Sequence, residues 1–358
     1  MFNELTETYS NKRVFLTGHT GFKGSWLLCM LNLLGAQVKG YALEPTDNLN
    51  LFSQVKGDTQ CESVIADIRD KDRLKKEISE FKPDFIFHLA AQPLVRRSYE
   101  IPAETFEVNA IGTANLLDAV LELENPCSTV IITTDKVYEN KEWIYPYREN
   151  DVLGGYDPYS ASKACAEIIV NSYRQSFFST EGQNIIKGLA SARAGNVIGG
   201  GDWATDRIIP DVIKALENNE DILVRNPASV RPWQHVVEPL TGYLLLGAKL
   251  AAQPGLFSEA YNFGPSIADT LKVEDLVKLA IEAWGSGSYK IMDQGKQLHE
   301  AGLLKLDINK AADKLNWTPH LTSTEALSWT VGWYRNYKNQ PAIDLSCIQI
   351  KNYWDLWQ

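Results

Sequence analysis

"KRVFLTGHTGFKGSWLLCMLNLLG", residues 12–35, decides the fold. "KRVFLTG" is a short apolar strand that ends in glycine, and "FKGSWLLCMLNLLG" is a helix closed by Gly35. Between them, "TGHTGFKG" spaces Gly18, Gly21 and Gly24 three apart, with Phe22 and Lys23 inside the motif. Gly18 permits the tight turn. Gly21 lets a diphosphate approach the backbone, and the free N–H groups at the helix N-terminus then face it. Such spacing alone is a weak signal. Between a strand and a helix it predicts a dinucleotide site, with a plain strand-to-helix turn as the alternative.

Outward from that turn, strands and helices alternate. "AQVKGYAL", "CESVIAD", "PDFIFHLAAQ", "STVIITTD" and "NIIKGLASAR" read as further strands. "RDKDRLKKEISEF", "IPAETFEVNAIGTANLLDAVLEL" and "YSASKACAEIIVNSYRQSF" read as helices, the second being one long helix. This alternation predicts right-handed crossovers and a Rossmann-type, doubly wound parallel sheet in an α/β protein. Later segments such as "NVIGGGDWATDRIIP", "NPASVRPWQHVVEP" and "YNFGPS" are less regular. The expected division is a cofactor-binding domain over 1–193, with a returning segment at about 232–262. A smaller α/β substrate domain then takes 194–231 and 263–358. The tail beyond Gln340 carries three aromatics and is expected to pack on the body.

Bulk properties agree with an enzyme of about two domains. The chain has 358 residues, 44% hydrophobic and 22% charged. A net charge of −10 disfavours nucleic acid and anionic membranes as partners, so a phosphate-bearing ligand needs a local cationic site. Five scattered cysteines show no zinc-type pairing and predict reduced thiols with no metal. The opening "MFNELTETYS" is polar and acidic, unlike a signal peptide, and no apolar run is long enough to span a membrane. A cytoplasmic location is expected.

Two more features carry chemistry. Tyr159 and Lys163 are four apart on a predicted helix and share a face. A tyrosine hydroxyl has a pKa of ~10, and lowering it by three units takes roughly 4 kcal/mol, which nearby positive charge can supply. Lys163 can also hold the ribose hydroxyls of a nicotinamide cofactor. In "TTDKVY", Asp135 and Lys136 follow the fifth strand, inside the expected ligand crevice. A surface ion pair is the alternative. The end of the second strand, "GYALEPTDN", has no Arg or Lys, and Glu44 favours NAD over its 2′-phosphorylated form unless it is an ordinary loop acid. Asp67, followed by Ile68, is placed to accept from an adenine amino group or to cap a helix.

"TGHTGFKG", "HLAAQ", "NAIGTANLL", "TTDKVY" and "YSASK", in this order, resemble the extended short-chain dehydrogenase/reductases. "ARAGNVIGGGDW" and "RPWQHVVEP" extend the resemblance over roughly residues 10–335. It implies a nucleotide-diphosphate sugar substrate and a bound NAD. It further implies that Leu89, Ala90 and Ala91 pass beneath the cofactor, that Asn109 and Thr133 belong to its site, and that Thr134 bonds the sugar 4-hydroxyl. Gln92, Asn196, Arg207 and Arg231 match substrate positions. Arg193 serves either the phosphates or the structure, and Trp203 and Trp233 either stack or pack.

Within that family, Asp135 and Lys136 favour a 4,6-dehydratase over a 4-epimerase, whose branch carries small residues there. Dehydration needs two proton carriers beside Tyr159. The dTDP-glucose branch has Glu where Lys136 stands, so Lys136 is either the carbon-5 base or a cation facing an enolate. "GHTGFKGSWL", Lys136 and "RPWQHVVEPL" together most resemble the branch acting on CDP-linked glucose in bacterial dideoxysugar and O-antigen synthesis. A UDP-sugar epimerase, a dTDP- or UDP-linked dehydratase, and a non-catalytic nucleotide sensor are the alternatives. The resemblance also implies a homodimer through the helices of Tyr159 and Asn109, against which stands burial of those helices on the chain's own body.

Overall fold

The computed structural model describes residues 2–45, 49–178, 186–205, 207–292 and 303–357. The elements run α1 (Phe2–Tyr9), β1 (Arg13–Thr17), α2 (Phe22–Leu33), β2 (Gln37–Ala42), the short α3 (Leu51–Gln54), β3 (Glu62–Ile65), α4 (Lys71–Phe81) and β4 (Phe85–His88). Next come α5 (Val95–Glu100), α6 (Pro102–Phe106), α7 (Gly112–Leu121), β5 (Cys127–Ile132), α8 (Pro158–Ser176) and β6 (Lys187–Ala194). Together with a late strand, Ala260–Phe263, they form a seven-stranded sheet in the order Ala260–Phe263, β6, β5, β4, β1, β2, β3. Every pairing in it is parallel. The chain is an α/β protein with a doubly wound, Rossmann-type sheet. The strand order reverses beside β1, and the crevice outside the carboxyl ends of β1 and β4 is where such sheets take ligands.

Burial explains why these segments pair. Val14, Phe15 and Leu16 are wholly buried, as are Ile86 and Phe87, which is the two-sided burial of a parallel strand covered by helices. α2 has no polar face and is buried from Gly24 to Leu31. It lies between the sheet and a C-terminal helix, Ala342–Asp355, whose Ile350, Tyr353 and Trp354 are buried. α4 buries only Leu74 and Ile78 and turns its charges to water. The polar opening segment forms α1, whose Leu5 and Tyr9 are fully buried, with Tyr9 Oη donating to Leu244 O at 2.7 Å.

One element departs from the sequence reading. The expected long helix over 101–123 is α6 and α7 joined by a wider π turn, Glu107–Ile111, that holds Asn109. The wider turn inserts an extra residue and re-aims that side chain. The remaining strands are short pairs: Val197–Ile198 with Gln234–His235, Val230–Arg231 with Leu271–Lys272, and Ile222–Val224 with Tyr289–Ile291. Among the described residues no helix is long and apolar enough to cross a membrane. None of their His, Cys, Asp and Glu side chains cluster as a metal site, and the five cysteines are free.

Candidate active site

At the end of β1 the chain turns through Gly18, whose φ is +75°, and a Cβ there would lie 2.7 Å from Ala90 N. At Gly24 a Cβ would meet Gly18 O at 2.0 Å. Both glycines are therefore dictated by close approach. No side chain caps α2 at Gly21, so its first N–H groups remain for a ligand. The strand-end loops are fixed by one hydroxyl. Thr17 Oγ1 accepts from Leu89 N and Ala90 N, both at 3.1 Å, and pairs with His88 Nδ1 at 2.8 Å.

These loops border a crevice of about 1160 Å³. Gly18, Gly21, Phe22, Lys23, Gly24, Asp67, Ile68, Leu89, Ala90 and Ala91 line one side of it, and Thr133, Thr134, Asp135, Lys136, Tyr159 and Lys163 the floor. Asn196, Arg207 and Arg231 face it from the later half. Arg231 extends from the Val230–Arg231 strand, while Arg207 is held at 2.8 Å by Asp202.

The floor is built by two elements. After β5, Thr133 and Thr134 continue extended, and Asp135–Val137 make a tight turn that Thr134 caps. Asp157 caps α8, accepting from Ser160 N and Ser160 Oγ, with Pro158 in the first turn, so Tyr159 enters the helix in a fixed direction. Tyr159 and Lys163 follow each other on one face. Lys163 is 5% exposed, and its Nζ donates to Ile132 O at 3.3 Å.

Burial sets the charges here. Desolvation pushes the Tyr159 hydroxyl up to about 12, against hydrogen bonding from Thr134 and the positive charge of Arg207. Within the protein, burial outweighs the positive charge around this phenol. Asp135 is 4% exposed. Burial raises its carboxyl above the usual range, against the charge of Lys136 and a 2.9 Å bond from Thr134 Oγ1. Lys163 and Lys23 are each lowered to about 8, first by desolvation.

The structure differs from the sequence reading at two positions. Asn109 lies behind the crevice, its amide spent on Gln92 O, Gln92 N and Ser162 Oγ. Gln92, expected against the substrate, turns its side chain to Thr105 and Leu94. Asn109 instead ties the loop after β4 to α8. Asp67 lies on the crevice wall, where Arg69 Nη2 pairs with it at 2.6 Å; the cap of α4 is Asp70. Glu44 is exposed, and its neighbour Leu43 is the residue on the wall. Arg193 is buried and structural, paired with Glu167 at 2.8 Å. Trp203 packs on Tyr334 and Tyr337, and Trp233 is buried at the crevice edge. Asp202 and Glu167 escaped the sequence reading, although Glu167 continues the four-residue spacing of Tyr159 and Lys163.

The profile of the GDP-mannose 4,6 dehydratase family matches residues 15–330. A CDP-glucose 4,6-dehydratase of Salmonella typhimurium (strain LT2) is 49% identical over 328 residues, 91% of either chain. A UDP-glucose 4-epimerase of Mycoplasma pneumoniae is 26% identical, over 94% of this chain and 100% of its own. Among solved structures, a dTDP-glucose 4,6-dehydratase (DesIV) from Streptomyces venezuelae with NAD bound superposes with a TM-score of 0.76 at 24% identity. That match spans 90% of this chain and 97% of the other. The chain belongs to the GDP-mannose 4,6-dehydratase family.

Proposed function

We propose that this member of the family is an NAD-dependent nucleotide-sugar 4,6-dehydratase, a hydro-lyase that converts CDP-D-glucose to CDP-4-dehydro-6-deoxy-D-glucose. The observation that carries the reading is the crevice floor, where Thr134, Asp135 and Lys136 stand beside Tyr159, facing the uncapped glycine turn. The cytidine carrier rests on the 49%-identical relative.

The residues present fit a dinucleotide. Gly18 and Gly24 let the turn pack closely against Ala90 and against itself, and the N-terminus of α2 offers N–H groups to a diphosphate. Phe22, Lys23, Asp67, Ile68, Leu89, Ala90, Ala91, Thr133 and Lys163 line its berth. When bound, NAD supplies an acceptor for the hydride at carbon 4 and returns that hydride to carbon 6.

The chain's own groups move the protons. Thr134 bonds the 4-hydroxyl and Tyr159 takes its proton, the phenolate being favoured once a cationic ring lies nearby. Asp135, whose carboxyl holds its proton more readily than usual, gives it to the departing 6-hydroxyl. Lys136 acts at carbon 5, as base or as the cation facing the enolate. Asn196, Arg207 and Arg231 grip the diphosphate and base. In this reading residues 1–193, with the returning segment near 232–262, hold the cofactor, and 194–231 with 263–358 hold the nucleotide sugar. Exposed Ile111 and Ile168, on the two helices expected to dimerise, support a homodimer. A cytoplasmic enzyme that serves bacterial dideoxysugar and O-antigen synthesis completes the reading.

Incubation with CDP-, dTDP-, UDP- and GDP-glucose tests it. We expect a product 18 Da lighter, with the alkaline absorbance of a 4-keto sugar, from CDP-glucose. A product of unchanged mass would point to epimerisation, and no turnover with any of the four would overturn the reading.

A further inference from the structure

We propose that Glu167 is a positioning residue for the reaction, a buried anion that keeps Lys163 an ammonium at the end of β5. The inference rests on the reading above insofar as Lys163 serves a bound nicotinamide cofactor.

Glu167 sits one helical turn beyond Lys163 and two beyond Tyr159, on the face of α8 turned to the sheet. It is 3% exposed. Both carboxylate oxygens are committed. Oε1 accepts from Thr133 Oγ1 at 2.5 Å, and Oε2 from Ser191 Oγ and Arg193 Nη2, each at 2.8 Å. Ile132, the last residue of β5, and Thr133 just after it thus hold the pair: Ile132 O accepts from the Lys163 ammonium, and Thr133 donates to its counter-ion. Burial opposes ionisation of Glu167, but the charge of Arg193 and the three donors outweigh it, and its carboxyl lies below the usual range.

The charges facing Lys163 leave this role to Glu167. Desolvation lowers the ammonium to about 8, and Glu167 is the group that opposes the fall. From β4, His88 faces it in the neutral form, pushed down to about 3 by burial and by Lys163 itself. From α2, Lys23 is a like charge and is itself disfavoured by Lys163. Glu167 is faced by Arg193 from β6 and by Arg174 farther along α8. An ammonium donates three hydrogen bonds and a neutral amine fewer. Loss of the Glu167 charge therefore removes the donors offered to ribose hydroxyls at a lower pH than in the parent.

The test is NAD affinity of the full chain, by calorimetric titration from pH 6 to 10, in the parent and three variants. In the parent, affinity should weaken on the alkaline side with a midpoint near 8. Glu167→Gln should move that midpoint down by about one to three pH units. Glu167→Asp should restore much of it. Because Glu167→Gln leaves Arg193 unpaired, Glu167→Gln with Arg193→Met removes both charges, and we expect the same downward shift. An unchanged midpoint in the folded double variant would overturn the proposal. So would failure of that variant to fold, since Glu167 would then serve the core. If the substrate assignment alone is wrong, the parent turns over none of the four nucleotide glucoses, yet the NAD midpoints still separate.

Discussion

The two walls of the crevice treat charge differently. At the end of β5 and the start of α8, Asp135 and Lys163 are at most 5% exposed, and burial moves each toward its neutral form. On the opposite wall the Arg207 side chain keeps 36% exposure and is held charged by Asp202, the first cause of its raised value. On the first wall burial favours the uncharged form of each group, so a proton held there is not fixed by a permanent charge. The second holds fixed cations, which suit a diphosphate whose charge does not change during the reaction.

The comparison breaks most sharply at Tyr159. Tyr159→Phe removes the hydroxyl and nothing else, and we expect kcat to fall roughly 10²–10⁴-fold, with substrate affinity little changed by calorimetry. An equal loss in affinity would mean that this wall also recognises. Asp135→Asn keeps shape but removes the proton donor, and should cost about 10²-fold in dehydration. Carbon-5 exchange with solvent deuterium, followed by NMR, should persist, because that step precedes departure of the 6-hydroxyl. Loss of exchange would make Asp135 the carbon-5 group in place of Lys136. Arg231→Met acts on the other wall. Loss of a charged hydrogen-bonding partner should raise KM about 10–100-fold while kcat stays within about threefold. A fall in kcat at unchanged KM would place Arg231 in the chemistry.

How much of this was legible in the chain follows from what each residue's role requires. Gly18 and Gly24 could be read because close backbone approach demands glycine, and only their spacing had to be recognised. Tyr159 and Lys163 could be read because a shared helical face is a matter of counting four. Glu167 obeys the same count but went unread, since a carboxylate on a helix looks solvated until Arg193 is known to lie beneath it. Asn109 was read as part of the cofactor's surroundings, yet the π turn that carries it depends on the tertiary fit of Asn109 between Gln92 and Ser162. The strand Ala260–Phe263 is short, and its partner β6 lies some seventy residues earlier, so no local pattern announces the pairing. Asp202 became visible only once Arg207 was seen to need a partner.

The smallest effect we expect is spectroscopic, and it separates what the protein supplies from what the ligand supplies. Desolvation places the Tyr159 hydroxyl at about 12, with Thr134 and Arg207 only moderating the rise. An acid whose value is raised stays protonated as pH climbs, so the free protein should show no phenolate from this residue at pH 9. The absorbance near 295 nm, taken as a difference against Tyr159→Phe, measures it directly. A bound oxidised cofactor adds positive charge beside the hydroxyl, which favours the anion, so the phenolate should appear at a lower pH when NAD is present than when it is absent. The rate of hydride transfer should follow the same curve, falling as pH drops below the ligand-bound midpoint, because the base is then lost to protonation. A phenolate already present at pH 8 without cofactor would mean that the reacting wall carries enough positive charge of its own. The contrast between a proton-passing wall and a charge-fixing wall would then have to be redrawn, with Lys163 counted among the fixed cations.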